Sequence, residues 1–329
     1  MWQQIKSVFV ADASHVTVEF APLADAVPLV PQQGYLRVWL VEGYLARART
    51  WGNDHFPALH GGAALNFAGQ SMTAFAQFNR APEAITAPGA QLNFALTPSL
   101  PYEGGPVEVE AALFRTTAKG PLGAAADLVG ALAPLLGPPL AAAATLTDRV
   151  STGLDVIMKQ ADDGPVLAVH QSFTAVRSGY LVVANTPPGT FGRVSFPDGL
   201  LHADTGAGPQ RPTGTDFLVL HVDCRTEPER WRLAHFDELV RAAGTAYLNK
   251  QYDTFKALRT EAVIAAWNCT DFVPADRRRI AKFLAEEIDE VKELGAVART
   301  AQALDDAAAE RMPSRKDPEV GTLRLDDLL

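Results

Sequence analysis

Four histidines in the second half of the chain, His170, His202, His221 and His235, stand near Asp198, Asp204, Asp216, Asp223 and Asp237, with Ser172 and Cys224 among them. A hydrolase is assembled from such residues: a hydroxyl or thiol nucleophile, an imidazole base and a carboxylate that orients it. Their spacing does not require that assembly. His170 and His221 lie inside apolar runs, where a hydrogen-bonded structural imidazole is the better reading. The aspartates from Asp198 to Asp216 are also of calcium-ligand type, but they are scattered among glycine and proline. No phosphate loop ending in Lys-Ser/Thr, no GxGxxG after a strand, no GxSxG elbow and no HExxH occurs. Cys224 and Cys269 form no CxxC pair, and no two histidines fall four apart. No catalytic residue, cofactor or metal site is therefore expected.

A second polar group lies between Tyr44 and His60. Arg47, Arg49, Trp51, His55 and His60 stand close together, with Gly52 and Pro57 as breakers, so the segment reads as a long loop. Loops of that kind carry binding residues, and these five are a candidate ligand rim. The alternative is a loop packed down by its own aromatics.

Composition narrows the partners. A formal net charge of -9 argues against nucleic acid, which needs a basic stripe, and the one tight basic cluster is Arg277-Arg278-Arg279. Two cysteines and an N-terminus without a leader pattern, MWQQIKSVF, predict a disulfide-free cytoplasmic protein. The excess of arginine over lysine, with abundant alanine, suggests GC-rich bacterial coding.

The elements that would position these groups are mostly strands. Two short strand-type runs open the chain as a hairpin: Ser7 to Val10, a turn at Ala11 to Ser14, then His15 to Phe20. Gly34 to Glu42 is apolar on both faces apart from Arg37, as a central strand should be. Ala64–Ala68, Met72–Asn79 and Gln91–Leu96 follow, then Val107 to Phe114, whose alternation sends Glu108 and Glu110 toward solvent. Pro165–Phe173, Tyr180–Ala184, Phe191–Phe196 and Phe217–Asp223 continue the pattern. Many short strands with Gly/Pro punctuation predict a β-rich α+β chain whose body is an antiparallel β-sandwich-like domain, residues 1–225.

That body is interrupted by Leu122 to Met158, which holds 20 uncharged residues in a row between Asp127 and Asp148. About 20 apolar residues can cross a bilayer. Pro134, Pro138 and Pro139 break a straight helix, so an inserted helical hairpin at 121–158 is the favoured reading. The alternative is a membrane-inserting or pore-forming element touching lipid through Leu132, Leu135, Leu136 and Leu140. Membrane association is possible but not favoured.

From Thr226 the pattern turns helical. Thr226-Glu-Pro-Glu229 reads as a capping box, Asp253 as the cap of a second helix, and Pro274 as the start of a third with a seam of Ile280, Phe283, Leu284, Ile288, Val291 and Leu294. Residues 226–310 thus form a three-helix domain, a small C-terminal helical bundle. Residues 311–329 read as a flexible tail, with Pro313 and Pro318 against helix and a hydrophobic end. Leu323, Leu325, Leu328 and Leu329 could dock in a partner's groove as a short helix or added strand, or fold back on the chain's own helices. The expected function is a non-enzymatic protein-interaction module, an adaptor or regulatory subunit of a multiprotein bacterial system reached through this tail. Membrane action and a hydrolase are the alternatives.

Overall fold

The computed structural model describes residues 16–47, 49–50, 53–79, 90–117, 165–204, 206–294 and 310–329. The opening run Ser7 to Val10, the expected hairpin at 121–158 and its Leu132, Leu135, Leu136 and Leu140 lie outside the described residues.

The chain is β-rich, with several antiparallel sheets and, among the described residues, four α-helices. The strands are β1 (Val16–Pro22), β2 (Tyr35–Tyr44), β3 (Arg49–Thr50), β4 (Asn53–Phe67), β5 (Gln70–Asn79), β6 (Ala90–Ala95), β7 (Leu100–Pro101), β8 (Val107–Thr117), β9 (Leu167–Phe173), β10 (Gly179–Asn185), β11 (Arg193–Ser195), β12 (His202–Asp204), β13 (Pro209–Gln210) and β14 (Phe217–Arg225). One sheet runs β1-β10-β14-β2-β6 with β7 also on β2, and a second runs β3-β4-β8-β9 with β5 on β4. A small third sheet is β11-β12-β13.

One apolar cluster draws on both large sheets. Leu36, Val38 and Leu40 of β2 and Leu218, Leu220 and Val222 of β14 meet Leu59, Ala63 and Leu65 of β4 and Val107, Val109 and Leu113 of β8. The opposite face of the first sheet, through Val41, Val182, Phe217 and Val219, is covered by Phe191, Leu201 and Ala203 around the small sheet. β2 is therefore a central strand buried on both sides, as its sequence predicts. A bulge sits in it: Val219 pairs with Glu42 and Leu220 with Leu40, which leaves Val41 extra. The bulge reverses the alternation. Without it Glu42 would share the inward face of Leu36, Val38 and Leu40; with it, Glu42 turns to the small sheet and Gly43 faces inward. A Cβ on Gly43 would stand 2.8 Å from a methyl of Leu59, so any larger residue there would have to displace the Leu59 side chain.

The helices are α1 (Ala234–Leu248), α2 (Tyr252–Trp267), α3 (Pro274–Leu294) and the short α4 (Pro318–Thr322). Phe236, Val263, Ala266, Ile280, Phe283 and Leu284 form one shared core of α1 to α3, and Ala243, Ala246, Phe255, Ala262 and Ile288 form another. Pro274 does begin α3, and the first four residues of its expected seam are buried. No described helix is long and apolar enough to cross a membrane.

Five expectations need correction. The segment 44–60 is not one long loop, because Asn53–Phe67 is strand, with Gly61, Gly62, Ala63 and Ala64 pairing to β8 on one side and β5 on the other. Among the described residues β5 begins pairing at Leu59 and β3 reaches only to Asp54, so no strand pairs with Pro57 on that edge of β4, where proline is tolerated. Glu108 and Glu110 do not point to solvent: Glu110 is 1% exposed and bonded to His60, and Glu108 stands 3.4 Å from His170. The capping box is not formed, since α1 begins at Ala234 and Glu229 instead reaches Arg37 at 2.6 Å. Asp253 lies in the first turn of α2, whose N-cap is Gln251. Pro318, read as hostile to helix, starts α4, with Asp317 accepting the Glu319 N–H at 3.0 Å as N-cap. Proline at the first helical position loses no intrahelical bond.

Candidate partner interface

The C-terminal segment is seated on the chain's own helices. Met312, Leu323 and Leu325 pack half-buried against the core of α1 to α3, and Leu328 enters it at 9% exposure. Val320, at 2%, is the most buried residue of α4. Leu329 remains 52% exposed.

Charge fixes the segment along its length. Arg259 of α2 donates to the Leu328 carbonyl at 2.6 Å while gripping Asp289 of α3 at 2.9 Å. Arg278 reaches the Gly321 carbonyl at 3.4 Å, and Lys282 pairs with Glu319 at 3.0 Å. The Glu319 hydrogen bond holds the Lys282 ammonium above its ordinary pKa. Upstream, Arg311 pairs with Glu290 and lies over the Phe283 ring, while Arg279 donates to the Pro313 carbonyl. Two acids shape the segment itself: Asp317 caps α4, and Asp327 accepts the Arg324 N–H at 2.8 Å to close a 3-10 turn at Leu325–Asp327.

Where the segment passes the β sheets it meets a buried ionic hub. Asp276, in the first turn of α3, has no exposed surface. Its carboxylate accepts Tyr35 Oη at 2.6 Å, Arg279 Nη1 at 2.9 Å and Arg315 Nε at 2.9 Å. Tyr35 Oη also accepts the Val273 N–H at 3.2 Å, and Arg315 donates to the Gln33 carbonyl at 2.6 Å. Burial, and then the neighbouring Asp276 charge, push the Tyr35 phenol far above the ordinary tyrosine range. Strand β2, helix α3 and the C-terminal segment thus meet on one carboxylate. The acidic group at a helix N-terminus is also favoured by the helix dipole.

Beside the hub lies a cleft of ≈ 230 Å³ between the β body and the helices, lined by Tyr35, Arg37, Ser99, Glu229, Arg230 and Asp271 among others. Arg37 crosses it, stacked 4.5 Å from the Trp39 ring centroid and bonded to Glu229.

The hydrolase set is not brought together. His170 and Ser172 are on β9 of the second large sheet, His221 and Cys224 on β14 of the first, His202 on β12 and His235 on α1. Four of the aspartates have structural partners: Asp204 takes the N–H groups of Gly206 and Gly208, Asp216 takes that of Ala46, Asp223 binds Arg225 and Asp237 binds Arg232. Burial pushes both thiols up, Cys224 and Cys269 each to about 12. No group of three metal-ligating side chains occurs among the described residues.

Of the candidate rim, Arg47 is exposed after β2, Arg49 and His55 are in β3 and β4, and Trp51 lies outside the described residues. His60 is 5% exposed, its Nε2 3.0 Å from Glu110. Sequence reasoning marked the terminal leucines but missed the ionic frame. Arg37 was visible as the one basic residue in a central strand; Arg315 and Asp276 carried no local signal at all, being 39 residues apart. Comparison with protein-family models, curated proteins and solved structures finds no match to the chain.

Proposed function

We propose that the chain is a non-catalytic protein-interaction module, an adaptor or regulatory subunit of a multiprotein bacterial system, with an antiparallel β-sandwich-like body and a small C-terminal helical bundle. The observation that carries this reading is the seat of residues 318–329. It has the form of a bound peptide: two short capped turns, apolar anchors at Val320, Leu323, Leu325 and Leu328, and hydrogen bonds to backbone carbonyls. Peptide-recognition sites use this combination of spaced anchors and main-chain contacts. The anchors are only partly used, since Leu323 and Leu325 are half-buried and Leu329 is mostly exposed. The same leucines cannot serve the helices and a partner at once, so partner binding competes with the seat. Thiols held near 12 stay protonated at neutral pH and fit a non-catalytic reading.

The test is a comparative capture from the source organism with the full chain and with Leu323, Leu325, Leu328 and Leu329 all changed to Asp. Proteins recovered by the first and absent from the second support the tail as a docking element. Recovery of the same proteins by both removes the tail from the interaction. Robust hydrolytic turnover by the purified chain, abolished by His-to-Ala changes, would overturn the non-catalytic reading itself. Truncation should follow Lys316 and not Met312, so that Arg315 stays on Asp276.

A further inference from the structure

We infer that the groove beneath the C-terminal segment is itself a receptor site, able to take from a partner protein an acidic peptide with apolar residues at relative positions 0, 3, 5 and 8, and that the chain's own tail occupies it as a competitor. The inference rests on reading residues 318–329 as a docking-type peptide, and it assigns the helices a binding role that this reading does not contain.

The seated segment reports what the groove accepts. Leu323, Leu325 and Leu328 pack on the helix core, and Val320, on the short helix lying against α3, is buried, which sets the spacing. Three cations line the groove: Arg259, Arg278 and Lys282, on α2 and α3. Two of them bind main-chain carbonyls, of Leu328 and Gly321, which any peptide in this path would present. The third binds a carboxylate, Glu319. Asp317 and Asp327 fold the peptide's own turns, so acids at those places lower the cost of ordering it on binding. Arg259 is already paired with Asp289, so Arg278 and Lys282 supply the basic rim over the apolar floor, and Lys282 meeting Glu319 is the charge match to an acidic, leucine-spaced segment.

A labelled peptide copying Asp317 to Leu329 tests this against the full-length protein. Two chains are compared, the native one and V320D/L328D, which releases the internal tail. The released chain should bind the peptide at least about tenfold more tightly, the factor expected if the internal tail leaves the groove open about 10% of the time or less. Adding R278A and K282A to the released chain should weaken binding, and added salt should do the same. Equal affinity for the native and released chains, with both showing native circular dichroism, would overturn the inference. So would unchanged binding of a peptide carrying V320D and L328D. A concentration-dependent dimer of the native chain, lost in V320D, would overturn it in favour of tails exchanged between copies. Peptide binding without any protein captured through the tail would sustain the groove and count against the docking function.

Discussion

Glu42 and Asp276 are two carboxylates with no exposed surface, each answered by arginine, in different parts of the molecule. Glu42 leaves the β2 bulge and is forked by Arg211, whose Nη1 lies 2.9 Å from Oε2 and whose Nη2 bonds Oε1. Arg211 also holds the Leu201 carbonyl at 2.6 Å, and the Leu201 N–H approaches Glu42 at 3.4 Å. All these partners belong to the small sheet and its flanks, so the pair fastens one flap to one sheet. Asp276 instead takes a phenol from β2, a guanidinium from its own helix and another from the C-terminal segment. Among the described residues the first site has a single cation and the second has two, one from α3 and one from the C-terminal segment. A buried charge with one partner is a fastening, whereas one shared by several elements couples them.

Removing the single cation should have the larger effect. Arg211→Ala strands Glu42 in an apolar face, and breaking a buried pair on one side costs about 3–5 kcal/mol. Urea unfolding of the two chains would measure it. A loss below about 1 kcal/mol, the range of an exposed pair, would mean that Glu42 finds water or another partner and that the contrast is false.

Arg315→Ala should cost less, because Arg279 and Tyr35 still answer Asp276. A hydrogen bond to a charged group contributes about 1.5–3 kcal/mol, which bounds the loss. The clearer signature is local. Proteolysis should cut faster within residues 310–329 while the β body keeps its resistance, read by mass spectrometry of timed digests. Uniform acceleration across the chain would show the hub to be part of the global core, and unchanged cutting would show that the tail is held by its leucines alone.

These two sites explain what the sequence could and could not announce. Alternation and punctuation made the strands of the first sheet legible, and apolar residues at 3.6 spacing did the same for α2 and α3, since both patterns are local. The terminal leucines were legible for that reason too. Glu42 looked like the end of a strand, because a bulge leaves no trace in a run of apolar residues. The first half of strand β4 reads as loop because Gly52 and Pro57 are breakers in isolation, yet His55 to His60 pair residue by residue with β8, a partner more than 50 residues away in the chain. Glu229 followed a capping pattern but found Arg37, 192 residues away, an outcome that no window of sequence contains.

Alkali should act first on the two thiols and then on the hub. Burial raises the Tyr35 phenol above its ordinary value and raises Cys224 and Cys269 to about 12. A folded pKa above the unfolded one gives stability that is complete below the unfolded value and lost as pH rises past it. The window therefore opens at about pH 8.5 for the thiols and about pH 10 for the phenol. Denaturation midpoints measured from pH 8 upward should fall, and Tyr35→Phe should flatten the fall above about pH 10. The same slope in Tyr35→Phe would place the loss elsewhere.

Acid should act first on the other region. His221 is stacked 4.8 Å from Tyr180, which stacks in turn at 3.9 Å on Phe196, just before the small sheet's covering turn. Its Nε2 is buried with no hydrogen-bond partner among the described residues. Burial lowers the imidazole pKa, with Asp223 pulling the other way. The unfolded chain therefore binds a proton at higher pH than the folded one. Stability from this group is complete above about pH 6.5 and is lost as pH falls toward the folded value. His221→Phe keeps the stack and removes the titration, so it should flatten the fall of stability below about pH 6.5 while leaving the alkaline limb unchanged. His235 on α1 is lowered in the same direction, again mainly by burial, and supplies the control for a group outside that stack. If His235→Phe flattened the acid limb and His221→Phe did not, acid would be acting through the helices, and the division of the two pH limbs between flap and hub would fail.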